Sequence, residues 1–154
     1  MLRHSRTLKS IAAGLLLVLG GAIYIIFRSQ TLLYRLVGEG WPWMNTLRTA
    51  AAELLQRSST MGEFVVFSLP DGLWATAYIL LMDVRHHKAP IRVRVAWAAV
   101  IPLIGAAAEL LQALCPTGYR PWGINLGTFD VLDLVCYLAP LAIYILLQKF
   151  HTTS

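Results

Sequence analysis

Four of the eight acidic residues in this 154-residue chain, Asp71, Glu109, Asp130 and Asp133, stand at the edges of, or inside, long apolar runs. An ionised side chain in the middle of a bilayer costs about 2.5 to 3.5 kcal/mol on insertion scales, so such groups normally face a partner or a wet cavity. Carboxylates held together in that setting can bind a cationic or hydrogen-bonding head group. They can also divide the roles of acid and base, with Glu109 as general base and Asp133 as its partner. A carboxylate metal site is disfavoured because no His lies near Glu109, Asp130 and Asp133. His86 and His87 are adjacent and point about 100° apart on a helix, so they do not clamp one metal and are expected as solvated loop residues. Cys115 and Cys136 form no CxxC or Cys/His constellation. Nucleophile elbow, phosphate loop and zinc-protease motifs are missing, and no cofactor is expected.

These acids need elements to position them, and composition decides which kind. Only 14% of the chain is charged and 57% is hydrophobic, whereas about a quarter of an average soluble protein is charged. The expected class is an all-α integral membrane protein, because hydrocarbon leaves backbone groups no partner outside a helix or a closed barrel. The net charge of +5 is spread in short clusters between apolar runs, which excludes a basic nucleic-acid face and points instead to topology.

Apolar runs of about 20 residues are needed for a helix to span, and four spans are expected, at about 10–27, 69–85, 95–114 and 130–147. The first competes with a cleaved signal peptide, since Gly20 and Ala22 are small and suitably spaced, but the run continues through Phe27 and favours an uncleaved anchor. In "FSLPDGLW", Ser68 and Asp71 have capping-box spacing and Pro70 suits a first helical turn, so the second helix should start near Leu69 with 64–67 as an interfacial lead-in. Pro102 and Pro140 sit inside the third and fourth spans, where neighbouring helices tolerate the kink. Between the first two spans, Asn45, Leu47, Ala50, Ala51, Leu54 and Leu55 recur at helical spacing, with Arg48, Glu53 and Arg57 off that stripe. Glu53 and Arg57 form an i,i+4 pair. With Trp41 and Trp43 suited to the headgroup layer, a surface helix is expected at about 45–57.

Placing the N-terminus inside puts Arg3, Arg6, Lys9, Arg85, Lys88, Arg92, Arg94 and Lys149 on the cytoplasmic side and Arg28, Arg35, Arg48, Arg57 and Arg120 outside. The short loop "VRHHKAPIRVR" carries most weight, and both termini are expected in the cytoplasm. Glu109 and Gln112 then close the third helix, Asp130 and Asp133 open the fourth, and Asp71 joins them on the outer face. Three stripes are expected to face each other: Gly105, Ala106, Glu109, Gln112 and Ala113; Asp130, Asp133, Tyr137, Pro140 and Tyr144; and Asp71, Trp74 and Tyr78. Arg120, in "CPTGYRPWGINLGTF", is the expected partner of Asp133 or Glu109, because guanidinium pairs bidentately with carboxylate. Asp71 and Asp130 also suit a plainer role as acids at helix N-termini, and Glu109 with Asp133 could serve only to lock helices in register. Tyr24, Tyr78 and Tyr144 are expected to pack.

Glu109 and Gln112 closing one span, a short loop with a basic residue, and "GTFDVLD" opening the next together resemble the VanZ-like family of small bacterial membrane proteins. The resemblance covers roughly 70–140, with "SLPDGLW" similar to a subset of the family. Four and seven residues after the Asp matched by Asp133 the family usually has Asn and Gly, where this chain has Tyr137 and Pro140. The resemblance implies a location in the bacterial inner membrane, and its name-giving member is associated with low-level teicoplanin resistance. The functional expectation is a non-enzymatic protein that binds an amphiphilic envelope ligand such as a lipid, a cell-wall precursor or a lipoglycopeptide. Its binding residues would be Asp71, Trp74, Glu109, Gln112, Arg120, Asp130 and Asp133, with Glu109, Gln112, Arg120, Asp130 and Asp133 as the polar mouth and Trp74, Trp122 and the surface helix as apolar walls. A small membrane enzyme acting on a lipid-linked or peptide substrate is the first alternative, and a structural subunit with a membrane-protein partner the second.

Overall fold

The computed structural model describes residues 2–27, 42–56, 62, 64–114 and 129–152. Arg120 and Trp122 of the expected site, and Trp41, Arg57 and Cys115, lie outside the described residues. The described elements are α1 (Leu2–Phe27), α2 (Pro42–Gln56), a π-helical turn (Phe64–Ser68), α3 (Leu69–Arg85), α4 (Ile91–Leu114) and α5 (Val131–Thr152). No strand occurs among the described residues. Four segments are long and apolar enough to cross a membrane, Ser5–Phe27, Phe64–Arg85, Ile91–Leu114 and Val131–Phe150. The chain is an all-α membrane protein.

Side-chain sizes are distributed as lipid requires rather than as water does. Exposed positions are dominated by large apolar residues such as Leu15, Val18, Leu103, Ile104 and Leu147. The buried positions between helices are often small, as at Ala13, Ala75, Ala77, Ala98 and Ala106. Lipid tails are as apolar as leucine, so helices gain little by hiding leucine from them and associate instead through close approach and polar ties. Two glycines are required by that closeness. A Cβ on Gly20 of α1 would collide with the Trp74 indole of α3. One on Gly105 of α4 would lie 2.5 Å from the Tyr137 ring of α5.

The spanning helices run alternately up and down. Lys9 and Tyr24, near opposite ends of α1, reach Asp83 and Asp71, near opposite ends of α3. Arg94, early in α4, reaches the Asp83 end, and Glu109, late in α4, reaches Asp130 at the start of α5. The α1 and α3 pair packs most extensively among the described elements, and α3 also packs on α4 and α5. Ile79, Ala98, Leu141 and Tyr144 form a small shared core of α3, α4 and α5. The short helix α2 is fixed to the end of α1 by Arg48, whose Nε donates to the Ile26 carbonyl at 2.8 Å. That bond satisfies one of the carbonyls that a helix C-terminus leaves unpaired.

Two local expectations change. The capping box at Ser68 is not made: Ser68 has helical backbone angles (φ −100°, ψ −36°) and no side-chain cap bond. The chain enters α3 from the π-helical turn, so the membrane-length segment begins at Phe64 and Ser68 never takes the extended conformation a cap needs. The third span begins at Ile91 rather than near Val95. Pro90 starts it, its carbonyl accepting from the Val93 and Arg94 amides at 3.0 and 3.1 Å. Arg92 and Arg94 read as loop by composition but belong to the helix.

Candidate functional site

The expected polar end is built at the junction of α4 and α5. Asp130 is the N-cap of α5: its Oδ1 accepts the Leu132 amide at 2.8 Å, the bond by which a short acceptor serves an exposed helix start. The backbone N–H of Asp130 is in turn accepted by Glu109 Oε2 of α4 at 3.2 Å. In an ordinary capping box the third residue of the same helix supplies that acceptor. The third residue here is Asp133, and Glu109 has taken its place from a neighbouring helix. Asp133 Oδ1 is consequently buried with no hydrogen-bond partner among the described residues. Gln112 donates to the other Glu109 oxygen at 3.3 Å. Glu109 is only 7% exposed, and Asp130 and Asp133 lie within its electrostatic range. Among the described residues none of Glu109, Asp130 and Asp133 forms an ion pair, and these three do not group as a metal site.

Asp71 and Trp74 take a different direction from the one expected. Rather than facing the α4 and α5 stripes, they engage α1: Tyr24 donates to Asp71 Oδ1 at 3.1 Å, and its ring stacks on Trp74 with centroids 4.7 Å apart and planes 9° apart. Gly20 gives the indole its room. Tyr78 turns to α4 and donates to the Trp97 carbonyl at 3.0 Å. Asp71 meets the other acids across α5, where Tyr137 lies within electrostatic range of Asp71, Glu109 and Asp133 and Cys136 within range of Asp71, Asp130 and Asp133. Tyr137 packs its ring onto Gly105 and fills the seam beneath the carboxylates.

A second polar centre, at the opposite end, was not expected. Asp83 is 3% exposed and is held from three other helices. Lys9 Nζ of α1 donates to its Oδ2 at 2.6 Å, and Tyr144 Oη of α5 donates to its Oδ1 at 2.7 Å. From α4, Arg94 donates to Oδ1 through Nε at 3.1 Å and through a second, shorter guanidinium contact. The sequence carried one signal for it, an Asp a turn inside the end of an apolar run with cations at the same level of two other runs. Tyr24 and Tyr144, expected only to pack, are each the hydroxyl donor of a buried carboxylate. The two histidines also do more than expected of solvated residues: His86 stacks on Trp97 at 5.3 Å, and the Nδ1 of His87 lies 3.0 Å from the Val84 carbonyl.

Fold and site together define a small helical membrane protein with four spans among the described residues, a carboxylate cluster at one end and, at the other, a knot in which two cations share one carboxylate. In comparisons with family models, curated proteins and solved structures, the chain matches none of them.

Proposed function

We propose that the chain is a VanZ-like protein of the bacterial inner membrane that binds the polar head of an amphiphilic envelope ligand at its Glu109 end. The observation that carries this reading is the buried Asp133 oxygen left without a described partner beside a Glu109 already satisfied by Gln112 and the Asp130 amide. A buried acceptor with no partner forfeits about 1–3 kcal/mol, and a ligand donor that reached it would recover that. The ligand class is therefore one with an amine or several hydroxyls on its head group and an apolar tail, as in a lipid, a cell-wall precursor or a lipoglycopeptide. Tyr137 closes the seam below, so the head group approaches from the end of the bundle while its tail lies along the lipid-facing helices. Both termini are on the cytoplasmic side in this reading, because Arg85, Lys88, Arg92 and Arg94 flank the short α3–α4 connection. The carboxylates then face outward.

The enzyme alternative is less well supported, since both Glu109 oxygens already accept hydrogen bonds and a general base needs one available to the reacting proton. The test is binding of fluorescently labelled teicoplanin and labelled lipid-linked cell-wall precursor to the full chain in nanodiscs. Asp133→Asn should weaken binding about ten-fold, the loss of one charge-assisted contact. Equal binding by the wild type and Asp133→Asn would remove this site.

A further inference from the structure

The knot around Asp83 borders a cavity of about 230 Å³ whose wall includes Ser5, Arg6 and Lys9 of α1, Asp83 of α3, His87 of the following turn and Arg94 of α4. Three of these are cations and one is a carboxylate, so the wall keeps an excess of two positive charges after Asp83 is matched. Asp83 engages one proton of Lys9 and one edge of Arg94. An ammonium has three donors and a guanidinium five, and those not engaged by Asp83 or by the Tyr144 oxygen are left for a second anion. Arg6 has no ion-pair or hydrogen-bond partner among the described residues. His87 supplies an independent indication. Its Nδ1 faces the Val84 carbonyl, which fixes that nitrogen as the donor, and its Nε2 is buried with no partner among the described residues.

We propose that this cavity is a binding site for a phosphate group, gripped by Arg6, Lys9, Arg94 and the Nε2 of His87. Arginine and lysine are the usual phosphate partners, the first by its planar fork and the second as a point charge. His87 Nε2 accepts from a protonated phosphate oxygen, or donates to an ionised one when the ring is charged. Size agrees: 230 Å³ is nearly eight times a water's share of liquid volume, roughly 30 Å³, which accommodates a phosphate with part of an attached glycerol. Depth agrees as well. Ser5 is the first residue of the membrane-length part of α1 and Lys9 lies one turn further in, which is the headgroup level. Basic pockets between spanning helices at that level take anionic lipid head groups. The site is at the far end of the bundle from the Glu109 cluster and does not depend on it.

Native mass spectrometry of the full chain in a neutral detergent, titrated with phosphatidylglycerol, phosphatidylcholine or inorganic phosphate, tests the site. The variants are Arg6→Ala and His87→Ala, which leave every bond to Asp83 in place, with thermal unfolding run alongside to verify the fold. Retention of the anionic lipid over phosphatidylcholine is expected, about ten-fold weaker in either variant at unchanged unfolding temperature, which is the loss of one charge-assisted contact or about 1.4 kcal/mol. If inorganic phosphate binds with the same dependence on Arg6 and His87 and displaces the lipid, the phosphate site stands with the free anion as its occupant. If phosphate fails to displace the lipid, the occupant is a phospholipid. Equal retention of phosphatidylglycerol by wild type and both variants, or no preference over phosphatidylcholine together with no phosphate binding, overturns the proposal.

Discussion

At one end of the bundle a single carboxylate, Asp83, meets two cations and a phenol from three other helices; at the other, Glu109, Asp130 and Asp133 gather with no cation among the described residues. Both ends bury charge, so burial alone does not mark a site. The difference lies in what each carboxylate oxygen has to do. At Asp83 both oxygens are consumed by bonds that cross from α3 to α1, α4 and α5, and such a centre holds helices in register. At the Glu109 end the bonds are mostly spent on the start of α5, and one buried oxygen has no partner among the described residues. The first arrangement is an assembly device with spare positive charge at its rim. The second holds a buried acceptor with no described donor, which is the feature the proposed binding site rests on.

On this contrast, substitutions at the two ends should separate stability from binding. The largest effect belongs to Asp83→Ala, which leaves Lys9 and Arg94 facing each other without their shared anion. Removing one partner of a buried ion pair costs about 3–5 kcal/mol, and the half-exposed Lys9 places this case near the lower figure. Unfolding of the purified chain in detergent should shift accordingly, while teicoplanin or precursor binding by the fraction still folded is unchanged. A knot that tolerated Asp83→Ala with no loss of stability would contradict its role as the tie between helices.

Glu109→Ala comes next, because it strips the acceptor from the Asp130 amide and from Gln112 at once. A loss of about 1–3 kcal/mol is expected, together with weaker ligand binding, so this variant moves both readouts. Its partner at the helix start, Asp130→Ala, removes the cap on the Leu132 amide and should cost about 1 kcal/mol. Hydrogen exchange offers a local check: the first turn of α5 should lose protection while α1 and α3 keep theirs. Loss spread evenly over all helices would mean that Asp130 supports more than its own cap.

Much of this arrangement could be read from residue types. Acids inside apolar runs marked Glu109 and Asp133, and the pairing of Glu109 with Gln112 follows from their one-turn spacing on α4. The four spans follow from hydropathy, as does helix α2 from its periodicity. What could not be read depends on rotation about helix axes. Asp71 and Trp74 share a stripe with Tyr78, yet that stripe is wide enough to serve two neighbours, and Tyr24 with Gly20 drew the first two residues to α1. The Asp83 knot draws on positions 9, 83, 94 and 144, no two of them within one helical turn. Each of its cations looks alone like an ordinary charge at a membrane boundary. Arg94 reads as loop because the cations at the start of α4 lower the local hydropathy below that of a span.

The smallest effect on stability should come from Asp133→Asn, and it is the most discriminating substitution of the four. No described residue donates to the buried Asp133 oxygen, so an amide of the same shape breaks no hydrogen bond there. It also removes a negative charge from within electrostatic range of Glu109 and Tyr137, and relief of like-charge repulsion has a stabilising sign. Unfolding should therefore be neutral to slightly stabilised, by less than about 1 kcal/mol. Ligand binding should nevertheless fall about ten-fold, the reverse of the pattern at Asp83. A clear destabilisation by Asp133→Asn would instead make that carboxylate part of the scaffold, and the two ends of the bundle would then differ in strength of the same structural role rather than in kind.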